Sequence, residues 1–122
     1  MVVDMGMESA PQVTFRHVPP SPALEAAILE KATKLDRLCD RILTCRVVVE
    51  APQHRHRRGN LYHLRIEVAV PGRELVVTRA PSQDHAHEDM YVVIRDAFDA
   101  MRRQLEDHVR QERAVDRDAR PR

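Results

Sequence analysis

Basic side chains are the residues in this sequence whose type and spacing could do chemistry, and they form three clusters. In the first, Lys31, Lys34 and Arg37 recur at steps of three, and Arg41 follows four residues later. At about 100° per residue, these four side chains fall on one flank of a helix. Such a flank suits contact with phosphates, because lysine and arginine neutralise a nucleic-acid backbone without reading its bases. A solvated helix face with no binding role is the alternative.

The second cluster is the run His54-Arg55-His56-Arg57-Arg58, which lies in a polar stretch between two apolar segments. So many charged and polar side chains in succession do not pack in a core. Arginine suits an RNA-contacting arm because its planar guanidinium binds phosphate bidentately and stacks on bases. A mobile basic loop with no specific task is the alternative.

The third cluster is Arg102 and Arg103, in a segment with strong helical periodicity. These two residues are further candidates for RNA contact. The same segment also spaces Arg95 from Asp99 and Arg102 from Glu106 at i,i+4, which favours ion pairs within the helix. Intrahelical pairing therefore competes with RNA contact as the role of these arginines.

Histidine and cysteine patterns do not indicate a metal centre. The pairs His54-x-His56 and His85-x-His87 lack the H-E-x-x-H spacing that places two ligands on one helix face. No nucleophile elbow or phosphate-cradling glycine loop is present either. We therefore expect no cofactor, no small-molecule substrate and no catalysis, and a metal-dependent enzyme that uses the histidines is a disfavoured alternative. Cys39 and Cys45 are expected to be free thiols in a reducing cytosol, with a disulfide between them as the other option.

Charge is distributed unevenly along the 122 residues, although the net charge is only +1. Residues 31–79 hold eleven basic and five acidic groups, a net charge of +6, whereas residues 1–30 and 80–122 are both net acidic. Screening acts over about 8 Å at physiological salt, so a phosphate backbone responds to the local charge.

No apolar run reaches the roughly 20 residues of a membrane span, and residues 1–10 do not resemble a signal peptide. We expect a cytoplasmic protein that does not bind membranes.

The elements that must position these side chains follow from hydrophobic periodicity and turn residues. Strict alternation makes residues 61–70 the clearest strand, and Ser21 followed by Pro22 is a typical helix start. We expect a disordered leader over residues 1–11, one domain over 12–113 and a polar tail over 114–122. Within the domain the predicted elements are strands 12–18, 46–50, 61–70 and 74–79, a helix from Pro22 to about Asp40, and a helix from Glu88 or Asp89 to about Arg113.

Both helices are predicted to be amphipathic, and the strands alternate as in a sheet with one solvated face. Two apolar helix stripes must then lie on the other face of that sheet. The expected fold is an α+β two-layer sandwich of order βαβββα, with a four-stranded sheet and two long helices on one face. The predicted buried stripes are Leu24, Ile28, Ala32, Leu35 and Cys39 in the first helix, and Tyr91, Ile94, Phe98, Met101, Leu105 and Val109 in the second.

The last helix also carries a family pattern, in Glu88-Asp89-Met90-Tyr91, Ile94 and Arg103-Gln104-Leu105. With Lys31-x-x-Lys34-Leu35, it resembles the ribosome hibernation-promoting factor and ribosome-associated inhibitor family over residues 12–113. Ala100 departs from the pattern, because many members carry a lysine there. Longer relatives have a C-terminal domain that pairs ribosomes, so the resemblance implies a short-form member or a truncated longer one.

The resemblance implies a function as well as a fold. It implies a non-enzymatic protein that binds ribosomal RNA of the small subunit, in the channel for messenger and transfer RNA. Occupancy there would block initiation during stress or stationary phase. The residues that it places on ribosomal RNA phosphates are Lys31, Lys34, Arg37, Arg41, Arg102 and Arg103. A protein-interaction or stress-response module without RNA binding stays open, because the tail is polar and residues 80–122 are net acidic.

Overall fold

The computed structural model describes residues 10–39, 41–51, 62–80 and 90–119. The order of elements is βαβββα, as the sequence predicts. The elements are β1 (Gln12–Arg16), α1 (Pro22–Leu38), β2 (Thr44–Glu50), β3 (His63–Val70), β4 (Arg73–Arg79) and α2 (Met90–Ala119).

The four strands form one mixed sheet in the order β1-β2-β3-β4. β1 and β2 are parallel and are joined through α1, whereas β2, β3 and β4 run antiparallel to their neighbours. The register places Val13 beside Val47, Val47 beside Ile66, and Ile66 beside Val77. Since successive strand residues point to opposite faces, this row of β-branched side chains lies on one face of the sheet. That face is the one that the helices cover.

Alternation along β3 is as predicted, and it separates the core from the open face of the sheet. Leu64, Ile66 and Val68 are fully buried, while His63 and Arg65 are exposed. The helices pack on the buried face, which confirms the predicted α+β sandwich. The predicted stripe of α1 is also buried, with Leu24 partly buried at its start, followed by Ile28, Ala32 and Leu35, and the last predicted member, Cys39, is buried just after the helix ends.

α1 begins as predicted and ends earlier than predicted. The Ser21 hydroxyl accepts a hydrogen bond of 3.3 Å from the backbone N–H of Leu24, which satisfies one of the donors at the helix start. The helix stops at Leu38 because Cys39 has an extended backbone (φ −141°, ψ 112°). The prediction that the basic flank of α1 includes Arg41 is therefore wrong. Arg41 lies in the connection that leads to β2.

α2 is longer than predicted, because it continues to Ala119 rather than ending near Arg113. The buried side of α2 is also rotated about the helix axis relative to the predicted stripe. Val93 and Ala97 are buried together with the predicted Ile94, whereas Tyr91 is 46% exposed, so its assignment to the core is wrong. α2 turns the side that carries Val93 and Ala97 towards the sheet, which leaves Tyr91 at the edge of the contact.

Two backbone positions define turns at the ends of strands. β1 ends at Arg16 rather than at Val18, because His17 has a φ of 59°, which breaks the extended conformation. Between β3 and β4, Gly72 has a φ of 77°, a value that glycine adopts without the strain a Cβ would add. β2 begins at Thr44, two residues earlier than predicted.

Candidate nucleic-acid interface

The two helices lie side by side on the sheet, and the solvent side of this pair carries most of the predicted RNA-binding residues. We call this surface the helix face and define it by Lys31, Lys34, Arg37, Arg102 and Arg103. Lys31 is half-buried at the flank of α1, and Lys34 and Arg37 are exposed. The buried stripe of α1 fixes the orientation of the helix. Lys31, Lys34 and Arg37 lie on the same turns as this stripe but point away from the core.

Three cations of α1 remain available to a ligand. Within the described parts of the chain, no carboxylate forms an ion pair with Lys31, Lys34 or Arg37. The side chains of Lys34 and Arg37 are exposed to solvent, and that of Lys31 is half-buried at the flank of the helix. This arrangement is what contact with phosphate requires.

Arg41 differs from these three, although the sequence grouped it with them. Its guanidinium donates to Glu112 of α2 at 2.7 Å and forms an ion pair with it. The second carboxylate oxygen of Glu112 lies 3.4 Å from Nε2 of His108, which is buried in α2. Arg41 therefore ties the α1–β2 connection to the last third of α2, and its charge is compensated in this structure.

The arginines of α2 divide into paired and unpaired groups. Arg102 lies 3.5 Å from Glu106, the i,i+4 pair that the spacing predicts. Arg103 is exposed and forms no ion pair with any residue in the described segments. The predicted partner of Arg95 is wrong, because Arg95 pairs with the adjacent Asp96 at 3.4 Å. Arg103 is thus the free cation of this helix turn, and Arg102 is partly compensated.

On the opposite face of the sheet, two of the mid-chain arginines share one carboxylate. Glu67 of β3 accepts from Arg46 at 2.7 Å and pairs with Arg65 at 2.8 Å. The Arg46 hydrogen bond, followed by the charges of both arginines, holds the pKa of Glu67 below its ordinary value of 4.5. The positive charge that the sequence concentrates in residues 31–79 is therefore partly compensated on the sheet and uncompensated on α1.

The arginine-rich run 54–58, including Arg55, Arg57 and Arg58, lies outside the described residues, as do the histidines at 85 and 87 and the start of the second helix at 88–89. Among the residues described, no cluster of three or more histidine, cysteine or acidic side chains could hold a metal ion. The described helices also include none that is long and apolar enough to cross a bilayer.

Cys39 and Cys45 are buried free thiols. Burial, followed by the charge of Asp36, raises the pKa of Cys45 to about 12.

Sequence reasoning missed the buried His108 and its partner Glu112. A signal for His108 was present, because it continues the spacing Met101, Leu105, His108 on the core side of α2. The predicted stripe instead ends with Val109, which is only partly buried. The pairing of Glu112 with Arg41 carried no such signal, because the two residues are 71 positions apart and meet only in the folded chain.

The fold and the helix face define a class of protein, an α+β domain whose pair of helices carries exposed cations. The model of the family described as Sigma 54 modulation protein / S30EA ribosomal protein matches residues 12–113. The match spans most of the chain, and the chain belongs to this ribosome-associated family. No curated protein matches the sequence at a significant level.

Solved structures with the same fold include two bacterial proteins. A ribosomal subunit interface protein from Coxiella burnetii is 18% identical, with a TM-score of 0.64, and the match covers 80% of this chain and 94% of that one. The N-terminal domain of Protein Y from Thermus thermophilus is 21% identical, with a TM-score of 0.61, and the match covers 85% of this chain and 99% of that domain. At these identities the similarity establishes the shared fold.

Proposed function

We propose that this protein binds ribosomal RNA of the small ribosomal subunit through the helix face and occupies the channel for messenger and transfer RNA. Occupancy of that channel blocks initiation by steric exclusion, as expected of a hibernation factor that acts under stress. Membership of a ribosome-associated family supports the ribosome as the partner. The name of the Coxiella burnetii structure, a ribosomal subunit interface protein, supports the same partner.

The observation that carries the proposal is the contrast between the two faces of the molecule. On the helix face, Lys34, Arg37 and Arg103 form no ion pair with a described carboxylate. On the open sheet face, Arg46 and Arg65 are both held by Glu67. When uncompensated cations on rigid helices neutralise phosphates, the counterions bound to the RNA are released. This release drives association with RNA of any sequence. Folded RNA should therefore approach from the helix side.

The mechanism needs no chemical step. Lys31, Lys34, Arg37 and Arg103 hold the RNA backbone, and Arg102 joins them when its link to Glu106 opens. Contact with phosphates fixes the position of the protein without reading bases. The bulk of the domain then fills the space that messenger and transfer RNA would take. The proposed location is the cytoplasm, where ribosomes are found.

Co-sedimentation with ribosomes tests the proposal, with two matched variants. The first variant, Lys34→Gln with Arg103→Gln, removes two charges from the helix face. The second, Arg16→Gln with Arg79→Gln, removes two exposed charges from the strands of the sheet. In a sucrose gradient at low salt, the wild-type protein and the strand variant should sediment with the small subunit, and the helix variant should shift to the top of the gradient.

Initiation is tested on the same proteins by the binding of initiator transfer RNA to small subunits programmed with messenger RNA. The wild-type protein and the strand variant should reduce this binding, and the helix variant should do so only at higher concentration. Absence of the wild-type protein from the small-subunit fractions at low salt contradicts the proposal. Capture of a protein partner in a salt-insensitive complex without RNA would favour the protein-interaction alternative.

A further inference from the structure

A groove runs between the C-terminal half of α1 and the facing half of α2. Its volume is about 210 Å³. The floor is apolar, made by Leu35 of α1, Cys39 directly after α1 and Leu105 of α2, all three of which are buried. Val109 adds a partly buried side chain to the α2 wall.

The lip of the groove is Leu38, the last residue of α1, which is 59% exposed. A single exposed leucine is common on protein surfaces. Here the leucine stands at the mouth of an apolar groove, one helical turn after Lys34, so that apolar surface and a free cation adjoin. The exposed leucine therefore extends the apolar surface of the groove towards the helix face.

Arginines surround this apolar floor on the α2 side. Arg102, Arg110 and Arg113 line the groove together with a single acid, Glu106. Arg102 is 3.5 Å from Glu106, and Arg110 pairs with Asp107. Arg113 is exposed and forms no ion pair within the described chain. The rim is thus net positive, and an occupant should place apolar atoms on the floor and negative charge at the rim.

We propose that this groove receives one unpaired base of the bound RNA, with the adjacent phosphate held by the arginine rim. Pockets for drug-sized ligands have volumes of roughly 300–1,000 Å³, so this groove is smaller than they are. Its size suits a single ring system better than a whole cofactor or a folded peptide. Unpaired bases of structured RNA are the ones available to stack on arginine guanidinium planes, such as those at the rim of this groove. This inference rests on the proposed RNA binding and adds a preference for an unpaired nucleotide.

Two RNA hairpins of equal length and charge test this inference by fluorescence anisotropy at one salt concentration. The first contains a bulged adenosine and the second is fully paired. The wild-type protein should bind the bulged hairpin about five- to tenfold more tightly, which is the scale expected for burying part of one apolar ring. Equal affinity for the two hairpins would overturn the inference while leaving the proposed function intact.

Leu38→Lys is the decisive variant, because it removes the apolar lip and adds a cation. Leu38 is exposed, so the fold should be retained, and circular dichroism checks this. If phosphate contact alone matters, the variant binds both hairpins more tightly. If the groove takes a base, the variant loses the preference for the bulged hairpin. Tighter binding of the bulged hairpin by this variant with the preference unchanged would also overturn the inference.

A fluorescent base reports the environment directly. 2-Aminopurine replaces the bulged adenosine, and the protein contains no tryptophan to interfere with its emission. Entry into the apolar groove should shift the emission to shorter wavelength on binding, and Leu38→Lys should abolish the shift. Failure to bind either hairpin at low salt would count against the proposed function itself, an outcome distinct from equal binding of both.

Discussion

Removal of the Glu112 carboxylate should strengthen RNA binding, because it releases Arg41. In the structure, Glu112 holds the Arg41 guanidinium at 2.7 Å, and both side chains are partly exposed, at 26% and 51% respectively. Glu112→Gln frees one cation beside the C-terminal half of α2. One additional phosphate contact steepens the dependence of log K on log salt by about 0.9. Between about 200 mM and 50 mM salt, the variant should then gain about 3.5-fold more affinity than the wild-type protein gains.

The cost to the fold should be small. Exposed ion pairs contribute about 0.2–1 kcal/mol to the free energy of unfolding, so the variant should remain folded. The matched control is Glu74→Gln, which makes the same chemical change on an exposed residue of the open sheet face. Anisotropy titrations of a structured RNA at several salt concentrations give the slopes. Identical slopes for Glu112→Gln and Glu74→Gln would refute the reasoning, because Arg41 would then lie away from the bound RNA.

Three further predictions concern stability and reactivity. Because the pKa of Glu67 is lowered in the folded protein, its contribution is fully present above pH 4.5 and is lost as the pH falls below that value; Glu67→Gln should reduce this loss in acid denaturation. Leu105→Ala should lower the free energy of unfolding by about 2–5 kcal/mol, whereas Leu38→Ala should change it by no more than about 0.5 kcal/mol, as measured by urea unfolding. Because burial raises the pKa of Cys45 to about 12, its alkylation at pH 8 should require unfolding, and labelling of the native protein as fast as of the unfolded chain would contradict this.

Local periodicity accounts for most of what the sequence could predict. The alternation of Leu64, Ile66 and Val68 and the spacing of Ile28, Ala32 and Leu35 each identify a face that must be buried, independently of the rest of the chain. Two such helices and a half-solvated sheet leave few arrangements, which is why the two-layer fold followed. The start of α1 was predictable for the same reason, since the Ser21 cap acts within one turn.

The errors concern residues whose fate depends on partners distant in the sequence. Tyr91 fits the apolar spacing of α2, but α2 is rotated about its axis so that Val93 and Ala97 face the sheet, and Tyr91 is left exposed. Arg41 fits the basic flank of α1, but the helix ends before it and Glu112 compensates its charge. Neither the rotation of a helix about its axis nor a pairing across elements is encoded in local spacing. Charge clusters read from sequence are therefore upper limits on what a ligand can meet.

The central claim is that uncompensated cations of the helix face hold the phosphates of small-subunit RNA. Its most direct test is the affinity for purified small subunits as a function of salt, for the wild-type protein and for Lys34→Gln with Arg103→Gln. Each lost phosphate contact lowers the slope of log K against log salt by about one, so the variant should be shallower by about two. The strand variant, Arg16→Gln with Arg79→Gln, should keep the wild-type slope. A wild-type affinity that does not change with salt, or equal slopes for all three proteins, would contradict the account.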